Sequence, residues 1–266
     1  QHNCAVMVPK ALRSAAGELV GDYAVGDQVY KVRAYTYLNG VSVAQAQMSD
    51  AMQQSFGEHA AQLVLALEGF DHPALSRVLL WDVMHLNQLR AWAEEVLSQD
   101  ELGQCVFAYL DRFEQTILPA LQALPQQVIH GDISKSNTGA SSADAASIHG
   151  VSDFGDLCKA PRVVELAVAA SYALDAEAGD LQAALARVVD GYAAVLPLSS
   201  EESALLFDLI IARLVQRIVI SEWRASHFPN NRDYILRSTA QARQLLGRLM
   251  HISEAQKQSG KGQGNA

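Results

Sequence analysis

Apolar residues recur along the chain with two different periods, and the change from one to the other falls near residue 40. Upstream, apolar and aromatic runs at 18–20, 23–25 and 29–37 are separated by Gly17, Gly21 and Gly26-Asp27, which predicts two or three short strands ending at Asn39-Gly40. Downstream, apolar residues return every three or four positions over 43–51, 59–67, 87–97 and 101–118, which predicts helices. Residues 127–156 break that habit. Two short apolar runs, 127–130 and 148–152, flank the polar stretch NTGASSADAAS, and together they predict a hairpin with that stretch as its loop. Helical spacing resumes over 163–174, 181–195, 204–225 and 234–251, and the tail beyond Ile252 has the composition of a disordered end or linker. No period of 20–50 residues is present, which argues against solenoids and propellers. The pattern as a whole is a small β part followed by a larger α part.

Composition narrows the partners. With 266 residues, 50% of them hydrophobic, the chain can bury a core as one large domain or two packed lobes. Twenty Lys and Arg against 29 Asp and Glu leave a net charge of −9, which argues against nucleic acid as a partner and suits a cationic or neutral small molecule. Charges cut every apolar stretch short of the roughly 20 residues a membrane helix needs, so no membrane span is expected. Cys4, Cys105 and Cys158 are scattered and the eight His show no ligand spacing, so neither a disulfide framework nor a transition-metal site is legible. A cytoplasmic location is the default expectation. The chain opens QHNCAVMVPK, without an initiator Met or signal-peptide pattern, and residues 1–7 read as the end of a preceding helix, so a fragment is expected.

The chemistry concentrates in VIHGDISKSN (128–137) and GVSDFGD (150–156), two apolar runs that each end in acid or amide groups. A Mg²⁺ ion bound to phosphates needs hard oxygen ligands, typically one or two carboxylates completed by phosphate and water oxygens. Asn137 and Asp153 can supply such oxygens, and Asp132 is placed to orient or deprotonate an attacking hydroxyl. An ordinary polar hairpin is the alternative reading of the same residues.

His130-Gly131-Asp132, four residues, then Asn137, followed by Asp153-Phe154-Gly155-Asp156, resembles the catalytic and metal-binding loops of the protein-kinase-like superfamily, in the form found in aminoglycoside phosphotransferases and choline kinases. The likeness extends from Val8 to about Leu249. The stretch 162–174 looks like the helix after the metal loop, with Glu165 where many members carry Asp, and 206–225 with 228–238 looks more specifically like the hydroxylysine-kinase branch, including kinase domains fused to class III aminotransferases. The resemblance implies an α+β, two-lobe fold with a truncated small β N-lobe and a mostly helical C-lobe. Residues 1–40 would be a remnant of the N-lobe sheet and hinge, 41–252 the helical lobe with both loops, and 253–266 the tail. By the same resemblance Asp132 is the catalytic base, His130 braces its loop, and Asn137 and Asp153 hold Mg²⁺ on ATP or GTP. Thr36 and Leu38 offer backbone to the purine edge, with Tyr35 near the gatekeeper position. The implied partner is a small-molecule hydroxyl acceptor, beside a fused or partner domain. Lys135 reads as surface charge or as a phosphate ligand.

Kinases of this fold also use a Gly-containing loop and a strand Lys, paired to a helix Glu, to grip the phosphates. Neither Lys10 nor Lys31 stands at that place, which leaves a truncated chain or a degenerate kinase, and predicts weak catalysis by this chain alone. On the acceptor side, Arg213 and Arg217 lie on one stripe of an apolar helix and read either as ligands for a substrate carboxylate or as partners in interhelical salt bridges. Glu222 and Trp223 read as an ammonium site or as packing, Trp81, Asp82 and His85 as cleft edge or packing, and Cys158 as buried or open to alkylation. The leading functional expectation is transfer of a γ-phosphate to a hydroxyl of an amino alcohol or a hydroxylated, hydroxylysine-like amino acid. The alternatives are an aminoglycoside or antibiotic kinase, to which the acids of the C-terminal half would speak, and a non-catalytic binding module.

Overall fold

The computed structural model describes residues 6–98 and 100–262. The N-terminal part holds four short strands, β1 (Ala11–Leu12), β2 (Gly21–Val25), β3 (Gln28–Val32) and β4 (Ala34–Tyr35). They form two antiparallel pairs, β1 with β4 and β2 with β3. Gly26, at φ +57, closes the β2–β3 turn in a backbone conformation that side chains disfavour. The run at 18–20 is not a strand, and Leu19 and Val20 stay exposed. Tyr23 and Val29, 63% and 65% exposed, show that this ribbon buries neither face among the described residues. The preceding-helix expectation for residues 1–7 lies largely outside the described residues. Where it can be seen it differs, because Met7 is extended and bridges to Gly150.

After β5 (Val41–Ser42) the chain makes a single tight turn at Val43–Gln45 rather than the helix expected over 43–51. Ser49 then caps α1 (Asp50–Ala66) by accepting the Met52 N–H at 3.2 Å, which fixes the helix start. α2 (Arg90–Val96), α3 (Glu101–Arg112) and α4 (Leu118–Gln122) follow, with a wide π turn at Phe113–Ile117 ahead of Pro119, whose nitrogen cannot donate.

Strands β6 (Gln126–Ile129), β7 (Thr138–Ala140), β8 (Ile148–Val151) and β9 (Cys158–Pro161) correct the expected hairpin. The 127–130 run pairs with β9, not with 148–152, and the strand that pairs with β8 is β7, inside the stretch read as loop. Thr-Gly-Ala carries no strand signature; its ladder is supplied by β5 on one side and β8 on the other.

The helical lobe is completed by α5 (Val163–Ala173), α6 (Leu181–Val195), α7 (Ser200–His227), α8 (Arg232–Leu236) and α9 (Thr239–Gly262). α7 starts four residues earlier than its apolar period because Ser199 and Glu202 form a reciprocal capping box. α9 runs through 253–262, where a linker was expected. Those residues, six of ten of them Glu, Ala, Gln or Lys, extend a helix already nucleated by packing; 263–266 lie outside the described residues.

The core is the stack of α1, α5, α6 and α7. α5 is buried on nearly every side. α1 and α6 approach so closely that a Cβ on Gly57 would stand 1.9 Å from the Val188 carbonyl oxygen, and one on Gly191 2.1 Å from that of Gln54. Among the described residues no helix is long and apolar enough to cross a membrane.

Candidate active site

Two cavities meet at the loops after β6 and β8. The sheet-side cavity, about 500 Å³, is lined by Tyr35, Thr36, Leu38, Ser136, Asp153 and Phe154 among others, and the helix-side cavity, about 760 Å³, by Asp132, Lys135, Asp156, Arg213, Arg217 and residues of α8 and α9. The paired strands β6–β9 and β7–β8 bring both loops to this junction.

The loop at 130–137 is held from behind. Gly131, at φ +79, lies where a Cβ would come 2.9 Å from the Asp156 carbonyl oxygen. Buried Glu165 reaches from α5 and accepts the N–H groups of His130 at 2.5 Å and Gly131 at 3.2 Å. Burial pushes its carboxyl up to about 7, against the opposing pull of those two N–H groups. The His130 ring is fully enclosed, its Nδ1 accepting the Asp132 N–H at 3.3 Å and its Nε2 donating to the Ser152 carbonyl at 3.1 Å. That pairing fixes the Nε2–H tautomer, and burial keeps the ring's pKa low. The ring therefore ties the two loops together as a neutral brace, edge-on to Phe154 with centroids 4.8 Å apart.

Both oxygens of Asp132 have partners. Arg213 Nη2 donates to Oδ1 at 2.8 Å and Asn137 Nδ2 to Oδ2 at 2.7 Å. Arg213, 1% exposed, is fixed in turn by the Trp81 carbonyl at 2.7 Å and by Gln216, which also donates to the Leu80 and Asp82 carbonyls. The 80–82 loop is thus clipped to α7. Asn137 spends its amide N–H groups on Asp132, so its oxygen is turned away from that pair. Asp153 stands at φ 63, alone among the described non-glycine residues in the left-handed region, with Oδ1 accepting the Gly155 N–H at 3.2 Å. Strain of this kind persists where the surroundings enforce it.

On the sheet side, Thr36 donates its N–H to the Lys10 carbonyl and accepts the Lys10 N–H on Oγ1, which leaves its carbonyl and the Leu38 N–H open among the described residues. Arg33 is the cation lining this cavity; Lys31 is paired with Asp22 on the ribbon.

Of the expected site residues, Asp132, Arg213 and Arg217 line the helix-side cavity and Tyr35, Thr36, Leu38 and Asp153 the sheet-side one, while His130 and Asn137 line neither and are tied to the site by their hydrogen bonds to Asp132; Glu222 and Trp223 stand apart from both. Glu222 is held by Arg243 through two contacts of 2.6 and 2.7 Å, and Trp223 lies between Trp92 and His227 with Nε1 on Glu95. The ammonium reading for these two has no geometry behind it. Arg213 departs from the substrate-carboxylate reading as well, since its guanidinium is committed to Asp132. Cys158 is 5% exposed with its thiol pushed far up by burial, which argues against alkylation. The sequence signal for Glu165 was available, a lone acid in an otherwise apolar helix, but its hold on the 130–131 backbone was not. Thr239, buried in the helix-side cavity, gave no signal at all.

Comparison with known proteins agrees with this geometry. The model of the phosphotransferase enzyme family matches residues 2–198. Hydroxylysine kinase of Mus musculus is 28% identical over 225 residues, 81% of this chain and 59% of that protein, so the chain spans about three fifths of that relative's length. Among solved structures, a microcompartment-associated aminopropanol kinase superposes with a TM-score of 0.69 at 17% identity, over 94% of this chain and 78% of the other. An amicoumacin kinase in complex with AMP-PNP, Ca²⁺ and Ami gives 0.62 at 15%, over 93% and 73%. These likenesses establish a protein-kinase-like, α+β fold with a small sheet lobe.

Proposed function

Since the chain belongs to the phosphotransferase enzyme family, we propose that it is a small-molecule kinase moving the γ-phosphate of ATP or GTP to a hydroxyl of an amino alcohol or a hydroxylated amino acid. The observation that carries this reading is Asp132, held by Arg213 on one oxygen and Asn137 on the other at the junction of the two cavities. The nucleotide lies on the sheet side, its purine edge against the Thr36 carbonyl and the Leu38 N–H, beside Tyr35; the acceptor enters from the helix side. The nucleotide bound to the amicoumacin kinase and the hydroxylysine kinase relative support both halves of the assignment.

In this mechanism Asp132 accepts a hydrogen bond from the acceptor hydroxyl and aims its oxygen at the γ-phosphorus. The new P–O bond forms as the bond to the β–γ bridging oxygen breaks, the nucleoside diphosphate leaves, and the hydroxyl proton passes to Asp132. Arg213 holds the carboxylate in place, and His130 and Glu165 keep its loop rigid. The donor set fits Mg²⁺: an amide oxygen on Asn137 turned from its own hydrogen bonds and a carboxylate on Asp153, hard oxygens for an ion that takes its other ligands from phosphates and water. When bound, Mg²⁺ would neutralise charge on the phosphates. A cytoplasmic setting is consistent with such a substrate.

The test is calorimetry of MgATP and MgGTP binding together with a transfer assay. Asp153→Asn is expected to abolish metal-dependent nucleotide binding. Asp132→Ala is expected to keep nucleotide affinity within a few-fold while transfer falls by about three orders of magnitude or more. Unchanged transfer in Asp132→Ala removes that residue from the mechanism.

A further inference from the structure

The helix-side cavity is richer in cations than in acids, which suits a guest that carries an anionic group. Although the chain carries −9 overall, this cavity is lined by Lys135, Arg213, Arg217, Arg224 and Arg237 against only Asp132 and Asp156. Arg213 is neutralised by Asp132. Arg217 has no ion-pair partner among the described residues: it lies one turn along α7, about 6 Å along the helix axis from Arg213, donates to the Ser171 carbonyl at 2.8 Å and stacks on Tyr172 at 4.1 Å. Neither Arg217 nor Lys135 has a carboxylate within salt-bridge distance among the described residues. The two cations feel each other, Lys135 being lowered by burial and by the charge of Arg217 against the pull of Asp175. Mostly buried like charges without a directly paired carboxylate are costly, and an anionic ligand would offset that cost.

A second observation points to the same place. Thr239 opens α9, a helix of 24 residues, and lines this cavity. It is 6% exposed and its Oγ1 has no hydrogen-bond partner. A helix N-terminus favours negative charge, and here an unsatisfied hydroxyl accompanies it. Resting on the kinase reading above, we propose that the cavity holds an anion subsite, built from Arg217, Lys135 and Thr239 at the start of α9, that binds a carboxylate of the acceptor, so that the acceptor is a hydroxylated amino acid rather than an amino alcohol or a polycationic antibiotic. Such an acceptor is zwitterionic, or cationic where it carries a second amine, so the expectation of a neutral or cationic substrate drawn from net charge stands, with a carboxylate added to it.

Matched pairs that differ only by the carboxylate test it: threonine with 1-aminopropan-2-ol, serine with ethanolamine, and 5-hydroxylysine with 1,5-diaminopentan-2-ol, together with acetate and inorganic phosphate. Binding is measured by calorimetry on the full chain and on Arg217→Gln, Arg217→Lys and Lys135→Gln, with MgATP binding followed in the same samples. The expected result is that the carboxylate member of a pair binds at least tenfold more tightly, that Arg217→Gln removes the difference, and that Arg217→Lys restores part of it. Thermal melting identifies a variant that fails to fold, in which case Lys135→Gln, on a loop, carries the comparison. Equal or tighter binding of the amine, or no Arg217- or Lys135-dependent binding by any organic or inorganic anion, overturns the subsite. Phosphate binding alone, without any carboxylate, overturns the carboxylate assignment. Loss of MgATP binding by the unmutated chain would instead strike the kinase reading, and the two failures are thereby distinct.

Discussion

The two cavities on either side of Asp132 are built by different means. The sheet-side cavity is framed by short strands and a connecting segment whose large side chains stay exposed, and it offers the Thr36 carbonyl and the Leu38 N–H beside the side chains of Tyr35, Arg33 and Asp153. The helix-side cavity is framed by α7, whose side chains are locked by partners in other elements, and it offers charge. A site that offers backbone to its ligand tolerates side-chain change; one that offers buried, mutually dependent side chains does not. The contrast predicts where substitutions act on affinity and where they act on the reacting group.

Outside Asp132 and Asp153 themselves, the largest effect is expected at Arg213. Arg213→Gln leaves Asp132 without its charged partner, and transfer should fall about 100-fold in kcat, with nucleotide KM within a few-fold and a lower Tm. Arg213→Lys should recover at least about tenfold of the loss, because charge is kept while the second contact, to Trp81, is lost. A fall in nucleotide affinity as large as the fall in kcat would erase the distinction between the two sides.

Glu165 gives a smaller, pH-shaped effect. Its carboxyl is raised to about 7 in the folded chain, from about 4.3 when unfolded. Between those values the folded state holds a proton that the unfolded state releases. The stabilisation is therefore full below about pH 4.3 and is lost as pH rises towards 7, with a slope of up to about 1.4 kcal/mol per pH unit. Glu165→Gln can still accept the two N–H groups but cannot ionise, so its Tm should be flatter over that window than the unmutated chain's. An unchanged slope would assign the titration elsewhere.

The smallest effect belongs to the sheet side. Tyr35, 47% exposed, should on change to Ala alter stability by less than about 0.5 kcal/mol and weaken nucleotide binding only a few-fold in calorimetry. A tenfold or greater loss would mean that the sheet-side cavity depends on side chains after all.

Much of this arrangement was legible in the sequence. The helices with long apolar periods, α6 above all, stand where the spacing puts them, and the two acid-tipped loops do meet. What was hidden is non-local. β7 has no strand composition of its own and exists because β5 and β8 flank it. The exchange of partners that sends β6 to β9 cannot be seen in either run alone. Arg213 and Asp132 are 81 residues apart, so spacing could show an arginine stripe in an apolar helix but not that its first member is already spoken for. Thr239 is one polar residue in a helical pattern, and only the cavity shows that its hydroxyl lacks a partner.

The close crossing of α1 and α6 carries a consequence for how the family's sequences vary. Gly57 and Gly191 both sit in this contact, yet each meets backbone of the opposite helix, Val188 and Gln54, rather than the other glycine. Enlarging one therefore cannot be compensated by any choice at the other. Two positions that look like a matched pair should each be fixed on its own, with no covariation between them, and a relative that carries a side chain at either should have shifted the whole helix pair to admit it.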